Sequence, residues 1–148
     1  DDVFAALFYL ELVSKDRKLA RPLGLLDCLD PTCPEDVEGR WSRSGGESLA
    51  ANVAGFRLLF SGGTGAGFDD LLEAIDQPGL LAEIEGALDG LEASTSTLPA
   101  DLQGTLESDP DPLLAAHAAL KELTDLLKGD FAVFLTLRVP QEAAGDND

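Results

Sequence analysis

The sequence predicts an all-α fold, an up-and-down helical bundle of about four main helices with elaborated loops. Apolar residues recur at helical spacing in four long segments, and Gly and Pro interrupt the chain between them. No two segments alternate apolar and polar residues as a pair of strands would. At 148 residues, the chain can bury one core. We assign residues 1–140 to one helical-bundle domain and expect 141–148 to be an acidic, mobile tail.

The clearest helix covers residues 45–61. Its apolar side chains recur every three or four residues and share one helical face: Leu49, Val53, Phe56 and Phe60. Ser44 and Glu47 have capping-box spacing, in which each side chain satisfies a free backbone donor. Gly62 or Gly63 can adopt the left-handed conformation that ends a helix. We therefore expect this helix to need partners that cover its apolar face.

The remaining elements are predicted from the same periodicity. Long helices are expected at 2–20, around 81–91 and at 112–131, and short helices at 68–76 and 99–107. Residues 94–97 are all Ser or Thr and predict a polar turn. Residues 131–139 fit either a continued helix or an extended segment. The Pro and Gly residues of 21–43 predict a long loop, which we expect Trp41 to pack over the end of the bundle.

The net charge of -18 restricts the classes of partner. Nucleic acid is excluded because phosphate contacts need Lys and Arg, and anionic membrane surfaces repel such a chain. No apolar run is long enough for a membrane span. The chain begins Asp1-Asp2 and contains no Met, from which we expect that a signal peptide or upstream domain has been removed.

The two cysteines, Cys28 and Cys33, bracket a proline-containing loop. Two thiols cannot complete a four-ligand structural zinc site, and the single histidine, His117, lies far along the chain. The spacing favours a local disulfide, which would indicate an exported protein. Two free thiols, or a metal or redox role, remain open alternatives.

Four segments together resemble the imelysin family, a set of exported bacterial proteins also catalogued as peptidases. They are Lys18-Leu-Ala-Arg-Pro-Leu-Gly24, Arg43-Ser-Gly-Gly-Glu-Ser-Leu-Ala-Ala-Asn-Val-Ala-Gly-Phe-Arg-Leu-Leu-Phe-Ser-Gly62, the leucine-rich helix pair of 80–127, and the ending Leu135-Thr-Leu-Arg-Val139 with Gly145-Asp-Asn-Asp148. Family members resemble two fused four-helix bundles, and this chain is similar to the second. The resemblance implies a role in iron acquisition, in the periplasm or at the outer membrane of a Gram-negative bacterium.

The family's metal motif does not carry over to this chain. That signature, Gly-x-His-x-x-Glu, belongs to the first bundle, and His117 has neither the preceding Gly nor a following Glu. We expect His117 to be a core-edge histidine, and we expect no catalytic residue, metal ligand or cofactor in this chain. Iron or another divalent metal would belong to a full-length, two-bundle protein. The expected partner is the N-terminal bundle of the same precursor or another envelope protein.

Three function classes follow. We favour a non-catalytic binding or scaffold module, with a working surface at Ser48, Asn52 and Arg57, which roughly share a helix face, and with Trp41 as a stacking residue. The first alternative is part of a metallopeptidase whose metal motif lies in an absent N-terminal half, since one histidine cannot supply three zinc ligands. The second alternative is a structural or interaction bundle of unrelated function, because helical bundles host many functions.

Overall fold

The computed structural model describes residues 2–144 and confirms the all-α fold; the described residues contain no strand. The helices are α1 (Asp2–Leu7), π1 (Leu10–Ala20), α2 (Gly45–Phe60), α3 (Phe68–Ala74), α4 (Pro78–Ser96), α5 (Leu102–Ser108), α6 (Asp111–Leu126), π2 (Leu127–Phe131), α7 (Ala132–Phe134) and α8 (Gln141–Ala144). A single turn of 3₁₀-helix, Pro34–Asp36, interrupts the long loop before α2. Four of these segments, α1 with π1, α2, α4 and α6 with π2, form the bundle.

Contacts between successive long helices show that the bundle is up-and-down. Lys18 of π1 contacts Ser48 near the start of α2. The N–H of Gly46, also near the start of α2, donates to the carbonyl of Ala100, just beyond the end of α4, at 3.3 Å. Lys128 of π2 contacts Glu11, near the start of π1. Each helix therefore runs antiparallel to its neighbour, and the last packs against the first, which closes the ring.

The first helix changes character along its length. At its C-terminal end the N–H of Arg21 donates to the carbonyl of Asp16, five residues earlier, at 2.9 Å. This spacing defines a π-helix, which is wider than an α-helix and is rarely longer than one turn. The sequence predicted one regular helix over 2–20. The segment is helical as predicted, but part of it has π-helical instead of α-helical hydrogen bonds.

One end of the bundle is filled by an aromatic cluster. Phe131 lies at its centre, with ring centroids 5.5 Å from Phe68, 5.8 Å from Phe4 and 6.0 Å from Phe60. Phe8 packs edge-on against Phe4 at 5.1 Å. Such pairs add dispersion and quadrupole attraction to the burial of large apolar rings. The cluster joins four separate segments and anchors this end of the bundle.

Two expectations about helix ends were wrong. Ser44 is the N-cap of α2, yet its hydroxyl pairs with that of Ser42 at 2.7 Å and caps no backbone donor, so the capping box does not form. Helix α4 continues to Ser96, through most of the turn expected at 94–97, and the hydroxyl of Thr95 donates to the carbonyl of Leu91 within the helix at 2.8 Å. The predicted left-handed end of α2 is confirmed, with Gly62 at φ +66°.

The C-terminal segment is helical as far as Phe134, so the extended alternative was wrong for this part of 131–139. The predicted tail begins with an ordered turn, α8, whose Ala143 is buried against π1. Residues 145–148, which complete the predicted tail, lie outside the described residues.

Phe131→Ala should lower the free energy of unfolding by about 3–5 kcal/mol, because a buried ring is replaced by a cavity. Val133 is 72% exposed two residues later and provides the matched control. Val133→Ala should change stability by no more than about 0.5 kcal/mol. Urea unfolding followed by circular dichroism measures both, and similar losses in the two variants would contradict the central position of Phe131.

Candidate functional site

A stripe of polar side chains on π1 is buried in the bundle. Its members lie at positions i, i+3, i+4 and i+7 and face the core: Glu11, Ser14, Lys15 and Lys18. The stripe follows the buried Phe4 and Leu7 of α1 and Phe8 just after it, so polar residues occupy the core-facing positions that apolar residues hold earlier in the same segment. The bundle therefore has an aromatic end and a polar end.

Glu11 is fully buried, with none of its surface exposed. The Nζ of Lys128 donates to its Oε1 at 2.5 Å, and the Nζ of Lys15 lies 3.9 Å from the same oxygen. Lys15 also pairs with Asp16 at 3.0 Å. Buried carboxylates need such partners because desolvation of an isolated charge is costly. The network neutralises these carboxylates and joins π1 to π2.

A second group of contacts joins π1 to α2. The Nζ of Lys18 donates to the hydroxyl of Ser48 at 2.8 Å. With the Asn52 amide oriented to satisfy all its neighbours, Oδ1 accepts from Lys18 at 2.7 Å and from Ser14 at 3.1 Å. Ser48 and Asn52, two residues predicted for the working surface, are thus brought together, and both hold the ammonium group of Lys18 in position.

A small pocket opens beside Lys18. It has a volume of about 80 Å³, and its lining includes Lys18, Glu38, Ser44, Ser48 and Leu102; we call it the Lys18 pocket. Only 5% of Lys18 is exposed, and the Glu38 carboxylate lies 3.5 Å from its Nζ. Pockets that hold whole small molecules usually measure about 300–1,000 Å³. The Lys18 pocket has room for one compact polar group.

Arg57 does not belong to this site, so the expectation that it shares a face with Ser48 and Asn52 was wrong. Nine residues after Ser48, it points to the opposite side of α2, because a helix advances about 100° per residue. Arg57 pairs there with Glu92 at 2.6 Å and with Asp89 on α4. The hydrogen bond to Glu92 is the main cause that raises the pKa of Arg57, with a further contribution from Asp89, and partial burial opposes it.

Trp41 does not pack the loop onto the bundle, as had been expected. Its side chain is 87% exposed, and the guanidinium of Arg40 lies 4.8 Å from the centroid of its ring. The same loop contains the disulfide between Cys28 and Cys33, with a Cα–Cα distance of 6.1 Å, which confirms the predicted pairing. Trp41 therefore stands at the surface of the long loop, outside the segment that the disulfide closes.

His117 lies on α6 and is 9% exposed, as expected for a histidine at the edge of the core. Within residues 2–144, no three His, Cys, Asp or Glu side chains are grouped as metal ligands would be. No helix in this same part of the chain is long and apolar enough to cross a membrane.

The buried network has a signal in the sequence that the predicted site did not include. Glu11, Lys15 and Lys18 occur at the spacing of a core stripe. Cations near the C-terminal end of a helix also complement the helix dipole. Interpreted in this way, Lys15 and Lys18 would lie at the surface. The partner of Glu11, Lys128, lies 117 residues away, and nothing in the local pattern identifies it.

The fold and the site define a helical bundle that buries an ionic network and has a small polar pocket beside a long loop, which contains one disulfide. A family model described as Imelysin matches residues 4–128, so the chain belongs to the imelysin family. The match includes three of the four segments that carried the resemblance and ends before the closing one. No curated protein and no solved structure matched the chain.

Lys128→Met should lower the free energy of unfolding by about 3–5 kcal/mol, because it leaves the buried Glu11 without its nearest cation. The double variant Glu11→Leu, Lys128→Met should recover most of that loss, since an apolar pair replaces a buried ionic pair at little cost. Lys121 pairs with an exposed Asp125 and is the control. Lys121→Met should cost less than about 1 kcal/mol. Urea titrations test all three variants, and additive losses in the double variant would contradict the coupling.

Proposed function

We propose that this chain is a non-catalytic binding module of the bacterial cell envelope that contributes to iron acquisition. The observation that carries the binding role is the Lys18 pocket, in which Ser48 and Asn52 position a buried ammonium group beside an opening to solvent. Charge-assisted hydrogen bonds are stronger than neutral ones, so an ammonium group held beside an opening can receive an anionic ligand group that displaces Glu38. Ser48 and Asn52 act through Lys18 and are positioning residues.

The non-catalytic part of the proposal is supported by how the buried carboxylates are used. A general base or metal ligand needs an accessible, ionised carboxylate. Glu11 and Asp16 are instead engaged by the ammonium groups of Lys128 and Lys15 inside the bundle. These contacts favour a structural role for both carboxylates.

Export and iron acquisition rest on membership of the imelysin family. The Cys28–Cys33 disulfide supports export, because such bonds persist mainly in oxidising compartments. The proposed location is the periplasm or the outer membrane, and the proposed partner is an N-terminal bundle of the same precursor or another envelope protein.

Lys18→Gln in the full-length protein of the source organism should reduce growth and cellular iron under iron limitation, because it removes the charge that the pocket presents. Growth in iron-replete medium should be unchanged. Lys121→Gln removes one charge from an exposed pair and is the matched control. Equal growth of both strains under limitation, at equal protein levels, would contradict the proposed role.

The purified chain should not hydrolyse casein or fluorogenic peptides when Zn²⁺, Mn²⁺ or Fe²⁺ is added, because its buried carboxylates are paired with lysines. Hydrolysis that a chelator abolishes and the metal restores would show that the chain is an enzyme.

Native mass spectrometry of material from the source tests the partner and should show the 15.6 kDa chain with a second polypeptide. A chain that travels alone would contradict the proposed partner.

A further inference from the structure

We propose that the loop beside the Lys18 pocket docks an acidic segment of a partner protein, and that one carboxylate of the segment enters the pocket. The docking surface consists of the side chains around that pocket, which we call the loop surface: Arg17, Arg21, Arg40, Trp41 and Arg43. The inference rests on the proposed binding role and adds the chemistry of the partner.

The charges of the chain are strongly segregated. Residues 15–43 contain six of the ten Lys and Arg residues together with six acidic residues, so this segment has no net charge. The rest of the chain therefore carries the whole net charge of -18. Most of the molecule repels an anionic partner, and only the neutral segment allows one to approach closely.

The loop surface and the Lys18 pocket are continuous. A crevice lined by Arg17, Arg21 and Asp36 shares Glu38 with the pocket. A second crevice is lined by Arg40, Trp41 and Arg43 together with Asp101 and Glu107. It shares no residue with the pocket but is next to it in sequence, because Asp101 precedes Leu102 of the pocket. One extended segment can therefore contact the arginines while a single side chain reaches Lys18.

The cations of the loop surface have counterions that can be exchanged. Arg21 lies 3.4 Å from Asp36, Arg43 lies 3.5 Å from Asp101, and Lys18 lies 3.5 Å from Glu38. Ion pairs whose carboxylates are exposed contribute little to stability, so replacing them with the carboxylates of a partner costs little. Arginine can bind a carboxylate through two parallel hydrogen bonds.

Trp41 supplies an anchor at the edge of this surface. Trp and Arg dominate the binding energy of protein interfaces, and here they stack on each other in an exposed position. Arg40 also donates to the carbonyl of Glu35 at 3.0 Å, which holds it within the loop. Side chains held in place before binding lose less conformational entropy when a partner docks.

The test uses the purified chain and a short fluorescein-labelled peptide rich in Glu and Asp, with fluorescence anisotropy at physiological ionic strength. The wild type should bind this peptide and should not bind the same peptide with Gln and Asn at the acidic positions. Trp41→Ala and Lys18→Gln should each weaken binding about tenfold. Glu38→Gln should strengthen binding about twofold to fivefold, because the competing carboxylate is gone.

Arg138→Gln is the matched control, since it removes one positive charge from an exposed position outside the loop surface. It should leave the affinity unchanged. Failure of the wild type to bind, equal losses in Arg138→Gln and Lys18→Gln, or equal binding of the uncharged peptide would overturn the proposal. Weaker binding by Glu38→Gln would show that the pocket does not receive the carboxylate, and would overturn that part.

Two further measurements address other occupants of the surface. Sedimentation with vesicles that contain phosphatidylglycerol should show no binding, and sedimentation velocity should show the same oligomeric state for the wild type and Trp41→Ala. If the wild type binds vesicles and Trp41→Ala does not, the occupant of the loop surface is a membrane. If the wild type forms a dimer and Trp41→Ala does not, the occupant is a second copy of this chain. If the peptide binds but the Lys18→Gln strain grows normally under iron limitation, the iron role alone is refuted. If that strain grows poorly but the peptide does not bind, only the acidic partner is refuted.

Discussion

The buried contact between Glu11 and Lys128 is the constraint on which the arrangement of the bundle depends. It joins the first long helix to the last, across 117 positions of sequence, and so closes the ring of four helices between the aromatic cluster and the Lys18 pocket. An ionic pair in this position costs desolvation energy, which only close geometry can offset. Few other packings of the same helices would provide that geometry, so the pair selects one register of the bundle while adding little to its stability.

The two ends of the bundle therefore serve different purposes. The aromatic cluster around Phe131 supplies apolar burial and accounts for much of the stability. The polar end contains the groups that make specific contacts. The long loop that contains the Cys28–Cys33 disulfide lies beside it because π1 ends there. A mutation at the aromatic end should act through stability, whereas one at Lys18 acts through the pocket. The π-helical geometry of π1 extends through this polar end, and π-helical turns occur frequently at functional sites.

The number and position of the long helices could be predicted because apolar spacing reports which face a helix buries. The Leu49 to Phe60 stripe of α2 is buried as expected. The details that failed depend on which of several local hydrogen bonds forms, and apolar spacing does not report this. Ser44 had a suitable capping partner in Glu47, yet its hydroxyl pairs with Ser42, and the π-helical hydrogen bonds of π1 have no distinct local pattern. The error over Arg57 was one of geometry, since a separation of nine residues already places it opposite Ser48.

The charge distribution gives the site its selectivity. A net charge of -18 is usually interpreted as solubility, but on this chain it also defines where an anion can bind. Outside residues 15–43, a carboxylate that approaches the surface meets uncompensated acidic side chains, while within this segment cations and anions balance. Lys18 sharpens the effect because burial limits the solvent screening of its charge. In the proposed docking, repulsion over most of the surface and one neutral segment with a buried cation would together direct an anionic group to the loop beside Lys18.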